Sequence, residues 1–186
     1  MVVLSSDDPE IIDVGVSLGC AVVVRPAELA TDDASTLDAV LHAVDHVGRE
    51  LDLQPESVVL LQPTSPFRTS GDVDGAITAF ERSKADTLAS VVPVSQHPCD
   101  CVHVVGGRLE RAMPLPRTNA RRQDLPEFHY VDGAIYIARV EFLRARGVFV
   151  DERTTTFVLQ HGHGLEIDDA FQLDVARGLL RLATLG

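Results

Sequence analysis

Nowhere does the chain hold the roughly 20 consecutive apolar residues that a membrane-spanning helix needs, so no membrane span is expected. The opening Met1-Val2-Val3-Leu4-Ser5-Ser6-Asp7-Asp8 has no basic region ahead of a long apolar run and does not read as a signal peptide. Cysteine is scarce. Cys20, Cys99 and Cys101 make a poor disulfide framework, and a reducing cytoplasm is the simpler expectation. Positive charge is also in short supply, with 16 Lys and Arg against 28 Asp and Glu, a net charge of −12. A nucleic acid or an anionic membrane would favour a basic surface, so neither is expected as a partner. An anionic substrate must instead be held by a few local arginines, by backbone amides or by a metal.

Two nucleotide-binding signatures are missing. There is no strand–GxGxxG–helix unit and no GxxxxGK[ST] loop, which excludes dinucleotide and P-loop readings. Cys99-x-Cys101-x-His103 lacks the CxxC spacing of zinc sites, and His103 falls in a predicted strand, so the triplet reads as core or surface.

What is present suits one domain, 1–186, with a real hydrophobic core: 45% of residues are apolar and 24% charged. A Ser/Asp cluster before Pro9 signals a helix start, and Gly19 a stop. The β-branched run 20–24 reads as a buried strand. Leu37, Val40, Leu41, Val44 and Val47 keep the spacing of one helical face, with Asp33 or Ser35 as the cap. A strand at 57–61 runs into Gln62-Pro63-Thr64-Ser65-Pro66, whose prolines forbid its continuation. A helix capped by Ser70, a strand at 87–94, a hairpin turning at Gly106-Gly107, a strand at 134–138 and a short helix at 140–146 follow. Residues 155–160 and 165–167 are strand-like, and 169–185 form a closing helix. Alternation of early strands with helices predicts an α/β fold whose sheet is parallel there, with helices on both faces. The hairpin and the irregular stretch near 95–130 interrupt it, as a lid or a subunit contact would.

Open parallel sheets bind ligands beyond the carboxyl ends of their strands. Arg25 and Ser35 lie at one such end and offer contacts to a phosphate, ribose or base; Ser35 also fits as a helix cap. Gln62 brings a donor and an acceptor to a second, for a hydroxyl-rich ligand or for its own loop amides. Glu166 and Asp168, two apart on one strand-like face, are suited to a hard cation such as Mg²⁺ completed by water and phosphate oxygens; Asp168 or Asp169 also fits as the cap of the last helix. Arg121 and Arg122, with Arg117 nearby, offer planar forks for a carboxylate or phosphate, or form a solvated charged loop.

Together these segments resemble the acylneuraminate cytidylyltransferases, the CMP-N-acetylneuraminic acid synthetases. The stretches that match are Leu4-Ser5-Ser6-Asp7-Asp8, Arg25-Pro26-Ala27-Glu28-Leu29-Ala30 with Asp33-Ala34-Ser35, Leu60-Leu61-Gln62-Pro63-Thr64-Ser65-Pro66-Phe67-Arg68-Thr69, Arg122-Gln123-Asp124-Leu125-Pro126, Asp132-Gly133-Ala134-Ile135-Tyr136-Ile137 and Glu166-Ile167-Asp168. Their order matches across nearly the whole chain, and the LLQPTSP-type and GAIYI-type segments are the specific ones.

The resemblance implies a Rossmann-like, mostly parallel sheet of the nucleotide-diphospho-sugar transferase type. It also implies a reaction in which a hydroxyl of a nine-carbon 2-keto sugar acid (sialic, legionaminic or pseudaminic acid) attacks the α-phosphate of CTP. Pyrophosphate leaves, and Mg²⁺ assists. Position by position, Arg25 and Ser35 match nucleotide-side residues. Gln62, Arg122, Asp132 and Tyr136 match sugar-side residues, with Arg122 opposite the sugar carboxylate. Glu166 and Asp168 match the acidic pair that holds the metal and carries catalysis. Phe149 matches the aromatic residue lent to the partner subunit's site, and with the segment near 95–130 it would serve a homodimer contact.

Three departures stand out. Asp132 replaces the family's usual Asn, which removes an amide donor and adds a negative charge beside an anionic sugar. Glu166 stands where Asp is common, and its longer side chain still reaches a metal. Family members also open with a strand, a loop of the type ARxGSKxxxxKN and a helix; nothing here matches that unit, and Met1 falls where the family's second strand starts. Two readings follow: a cytidylyltransferase recorded from a late start codon or a truncated gene, or a non-catalytic remnant that binds a sugar acid or a partner subunit. Without the loop's amides and basic side chains, little turnover is expected from the chain alone.

Overall fold

The computed structural model describes residues 1–114, 121–160 and 162–183. The α/β expectation holds. A parallel two-stranded sheet of order β1-β2 is formed by β1 (Val3–Ser6) and β2 (Ala21–Val24). A four-stranded sheet of order β3-β7-β4-β8 is formed by β3 (Ser57–Leu60), β4 (Thr87–Pro93), β7 (His129–Arg139) and β8 (Thr155–Val158). Among the described residues, the hairpin strands β5 (Val102–Val105) and β6 (Arg108–Arg111) pair only with each other. The chain divides into two compact units, Met1–Leu60 with Ile77–Leu88 and Tyr136–Thr155, and Leu61–Ala76 with Ala89–Ile135 and Thr156–Gly186.

The first unit opens with β1, helix α1 (Pro9–Ser17) and β2, with Val3 to Ser6 registered against Ala21 to Val24. Asp8 caps α1 by accepting from the Glu10 and Ile11 amides at 2.7 and 3.1 Å, and Pro9 occupies the first turn, where no amide donor is needed. A side chain at Gly15 would collide with Leu4, so glycine lets α1 lie close against its own strand. Helix α2 (Thr36–Glu50) buries Ala39, Val44 and Val47 on the face expected from its periodicity. β3 pairs antiparallel with the end of β7, from Ser57 opposite Arg139 to Leu60 opposite Tyr136. β7 then turns into α4 (Val140–Arg146), which ends at Gly147 in the left-handed region, φ 68°.

The second unit is built on the buried stretch of β4 and the middle of β7. Helix α3 (Ser70–Ser83) begins here, and its cap differs from expectation: Thr69, not Ser70, performs it. The Asp72 amide donates to the Thr69 hydroxyl at 3.2 Å while the Thr69 amide donates to the Asp72 carboxylate at 2.7 Å, a reciprocal capping box. A second correction concerns 165–167, which is no strand. One backbone bond, Ile167 N–H to Thr64 O at 2.8 Å, ties it down, and a single bond makes no ladder. Helix α5 (Ala170–Ala183) closes the unit. The hairpin turn has both glycines at positive φ, 57° at Gly106 and 75° at Gly107, the conformation a two-residue turn demands.

Candidate functional site

In the second unit, the LLQPTSP segment leaves β3 and is held by one guanidinium. Arg68 Nη1 donates to the carbonyl oxygens of Gln62 at 2.6 Å, Ser65 at 3.0 Å and Ala134 at 3.2 Å. Sequence reasoning missed this residue: its one signal, an arginine just after a proline turn, points equally to a solvated charge. The anchoring fixes where Gln62 stands.

Gly133 sits at φ 75° within β7. A Cβ built there would lie 2.8 Å from Gln62 Oε1 and 3.0 Å from Glu166 Oε1. Two of the predicted residues, distant in sequence, therefore converge over one glycine. Asp132 lies immediately before it and is fully buried. Its Oδ1 accepts from Ser90 Oγ and from the Ala134 amide, while among the described residues Oδ2 has no hydrogen-bond partner. A Cβ on Gly164 would fall 2.6 Å from that oxygen, so the turn ahead of Glu166 covers it. Asp132 thus belongs to the same neighbourhood as Gln62 and Glu166 but lies beneath its surface.

Burial first, then the charges of Asp168 and Asp132, raises the Glu166 pKa above its ordinary value. Burial, then the charges of Asp132 and Glu166, likewise raises that of Tyr130, which sequence reasoning also missed. Asp168 is exposed, and Asp169 performs the capping of α5: the Gln172 amide donates to Asp169 Oδ1 at 2.7 Å, and the Asp169 amide donates to Gln172 Oε1 at 2.9 Å. The Asp168 carboxylate is left out of that cap. Among the described residues no group of three His, Cys, Asp or Glu side chains can hold a metal. Glu166 and Asp168 can supply two ligands, and a divalent cation would relieve their repulsion. Mg²⁺ fits such a set, because it keeps several waters and takes substrate phosphate oxygens.

The other predicted residues are accounted for separately. In the first unit, Arg25 donates to Ser5, from Nη2 to the carbonyl at 2.7 Å and from Nε to the hydroxyl at 3.2 Å, at the ends of β1 and β2. Ser35 caps α2 through a 3.4 Å bond from the Asp38 amide. Tyr136 and Phe149 pack together, ring centroids 5.7 Å apart. In the second unit, Arg122 begins a 3-10 turn, Arg122–Asp124; its side chain, and Arg117 altogether, lie outside the described residues.

No family model matches the chain. Curated proteins do. It is 30% identical over 166 residues to the N-acylneuraminate cytidylyltransferase of Streptococcus agalactiae serotype V, a match covering 89% of this chain and 39% of that protein. It is 26% identical over 176 residues to the N-acylneuraminate cytidylyltransferase of Escherichia coli O18:K1:H7, covering 94% and 41%. It is 27% identical over 184 residues to the CMP-N,N'-diacetyllegionaminic acid synthase of Legionella pneumophila, covering 97% and 78%. The chain is similar to the acylneuraminate cytidylyltransferases.

It spans about two fifths of the length of the two N-acylneuraminate cytidylyltransferases and over three quarters of the legionaminic acid synthase. Solved structures agree on the fold. CMP:2-keto-3-deoxy-manno-octonic acid synthetase in complex with CTP superposes with a TM-score of 0.63 at 15% identity, over 98% of this chain and 81% of the other. The 4-diphosphocytidyl-2C-methyl-D-erythritol synthase gives 0.62 at 15% identity, over 96% and 79%. The Rossmann-like α/β fold expected from the sequence is therefore the fold of this chain.

Proposed function

We propose that the protein activates a nine-carbon 2-keto sugar acid with CTP. A sugar hydroxyl attacks the α-phosphorus, the α–β phosphoanhydride breaks, and pyrophosphate leaves as the CMP-sugar forms. The convergence of Gln62 and Glu166 over Gly133 carries this reading, because it sets a sugar-side amide beside a metal-side carboxylate. Gln62 orients the sugar through its donor and acceptor. Arg122 takes the sugar carboxylate, Tyr136 lines the sugar, and Arg25 and Ser35 serve the nucleotide. Glu166 and Asp168 hold Mg²⁺, which supplies neutralisation of the charge developing on the phosphates.

A homodimer, in a reducing cytoplasm, completes the proposal. Support comes from the hairpin: Val104 and Leu109 are cross-strand partners, 77% and 62% exposed, and Val102 shares their face. Leu109→Asp should convert a dimer to a monomer by light scattering; a monomer before substitution overturns that part.

The reaction is tested by pyrophosphate release from CTP with sialic, legionaminic and pseudaminic acids. The chain is assayed beside a fusion carrying a family loop of the ARxGSKxxxxKN type ahead of Met1. Turnover of the fusion with one acid, abolished by Asp168→Ala, is the expected outcome. A folded fusion with no turnover on any of the three acids sinks the assignment.

A further inference from the structure

Beneath the candidate site lies a polar pair that touches no surface. Ser90 sits in β4, every residue of which from Thr87 to Val92 is buried, and Asp132 is fully buried in β7. Ser90 Oγ donates to Asp132 Oδ1 and accepts from the Ile135 amide at 2.9 Å, while the Ala134 amide donates to Oδ1 at 3.3 Å. One hydroxyl and one carboxylate thus brace β7 on both sides of Gly133. Gly133 is at φ 75°, where L side chains are strained, and its missing Cβ leaves the space into which Gln62 and Glu166 lean. Stability does not account for this arrangement. Among the described residues Asp132 Oδ2 is buried without a partner, a desolvation cost that a neutral, apolar strand would not carry.

We propose that Ser90 and Asp132 are positioning residues: by bracing the Gly133 turn of β7 they set how closely Gln62 and Glu166 approach each other. Both side chains are fully buried. The roles of Gln62 and Glu166 rest on the cytidylyltransferase reading, whereas the brace is defined by the chain's own hydrogen bonds. Supporting groups behind metal-site carboxylates commonly change metal affinity by an order of magnitude when removed, because a ligand that loses its orientation loses its fit.

The test compares Ser90→Ala with Val91→Ala, which thins the same buried strand at the neighbouring position without entering the brace. Mn²⁺ affinity is read by electron paramagnetic resonance, and KM and kcat for the sugar acid by pyrophosphate release in the loop fusion. Ser90→Ala should weaken Mn²⁺ about tenfold and raise KM for the sugar acid. Val91→Ala should lower thermal stability while staying within about twofold on Mn²⁺, since it disturbs packing and no ligand orientation. Unchanged Mn²⁺ affinity in Ser90→Ala, or equal losses in both variants, overturns the brace. Should Ser90→Ala fail to fold, Ser90→Cys, of similar size with a weaker donor, enters the same comparison. If the unsubstituted fusion turns over no sugar acid, the reaction fails while the Mn²⁺ comparison still decides the brace.

Discussion

His163 Nδ1 lies 2.8 Å from Asp72 Oδ2, which ties the turn ahead of Glu166 to the first turn of α3. The contact becomes an ion pair when the imidazole is protonated. Burial alone would raise the Asp72 pKa. The Thr69 amide, the Thr69 hydroxyl and the His163 charge outweigh it and hold the carboxyl below its ordinary value. Because the folded pKa is the lower one, this stability is complete above the ordinary carboxylate range and is lost as pH falls through the folded value. Thr69→Val keeps the shape and removes the hydroxyl. It should cost about 1 kcal/mol near neutrality by urea unfolding, as lost caps do. The difference from the unsubstituted protein should shrink in acid, once Asp72 is protonated. A difference that does not change between neutral and acidic pH would show that the hydroxyl acts independently of the Asp72 charge.

Glu166 is shifted the opposite way, and its consequence has the opposite sign. Its pKa is raised from 4.5 by burial first, then by Asp168 and Asp132. The folded state therefore keeps this proton longer as pH rises. The associated stability is full below the ordinary glutamate value and is lost as pH climbs through the folded one. A divalent cation binds the ionised form, so its affinity should strengthen over that same interval and then level off. Asp168→Asn removes one of the two like charges and should bring the Glu166 titration back toward 4.5. Carbon-13 NMR of the glutamate carboxyl reads this directly, and an unmoved titration would mean that burial and Asp132 set the shift without Asp168.

Gly133→Ala tests the convergence itself. The new Cβ would meet Gln62 Oε1 at 2.8 Å and Glu166 Oε1 at 3.0 Å, and the backbone would hold alanine at φ 75°. Left-handed backbone at a residue other than glycine costs roughly 1–3 kcal/mol. Denaturation should show a loss in that range, and Mn²⁺ binding should weaken with it as Glu166 is pushed aside. Full Mn²⁺ affinity in a folded Gly133→Ala protein would separate Glu166 from the cation.

Much of this was legible in the sequence, for identifiable reasons. Two prolines after a β-branched run mark a strand end wherever they occur, so Gln62 could be set at a loop above the sheet before any coordinates. Gly106-Gly107 between alternating residues fixes a hairpin because only glycine enters that turn without strain. Ser90 was not legible. Within an otherwise apolar strand a single serine carries no signal, and its partner Asp132 is 42 positions away. Segment 165–167 read as strand from its composition, yet strands are made by partners, and it has one bond to Thr64. The choice between Asp168 and Asp169 as the cap also needed geometry, because both are aspartates, which cap helices well, and only Gln172 decides.

The last prediction concerns a charge balance that no local pattern announces. Burial lowers the Arg68 pKa and the charge of Asp132 opposes that effect, so the guanidinium and the carboxylate sense each other without a direct bond. Arg68 also satisfies the Gln62, Ser65 and Ala134 carbonyls. Arg68→Met should therefore cost about 3 kcal/mol, part from unsatisfied carbonyls and part from leaving Asp132 without its compensating charge. Asp132→Asn removes the second contribution in advance. In that background Arg68→Met should cost measurably less, and the shortfall in a double-mutant cycle is the interaction between the two charges. Strict additivity would assign the whole cost to the carbonyls. The cycle thus distinguishes an arginine that only staples the Gln62 loop from one that also makes a buried carboxylate tolerable beneath Glu166.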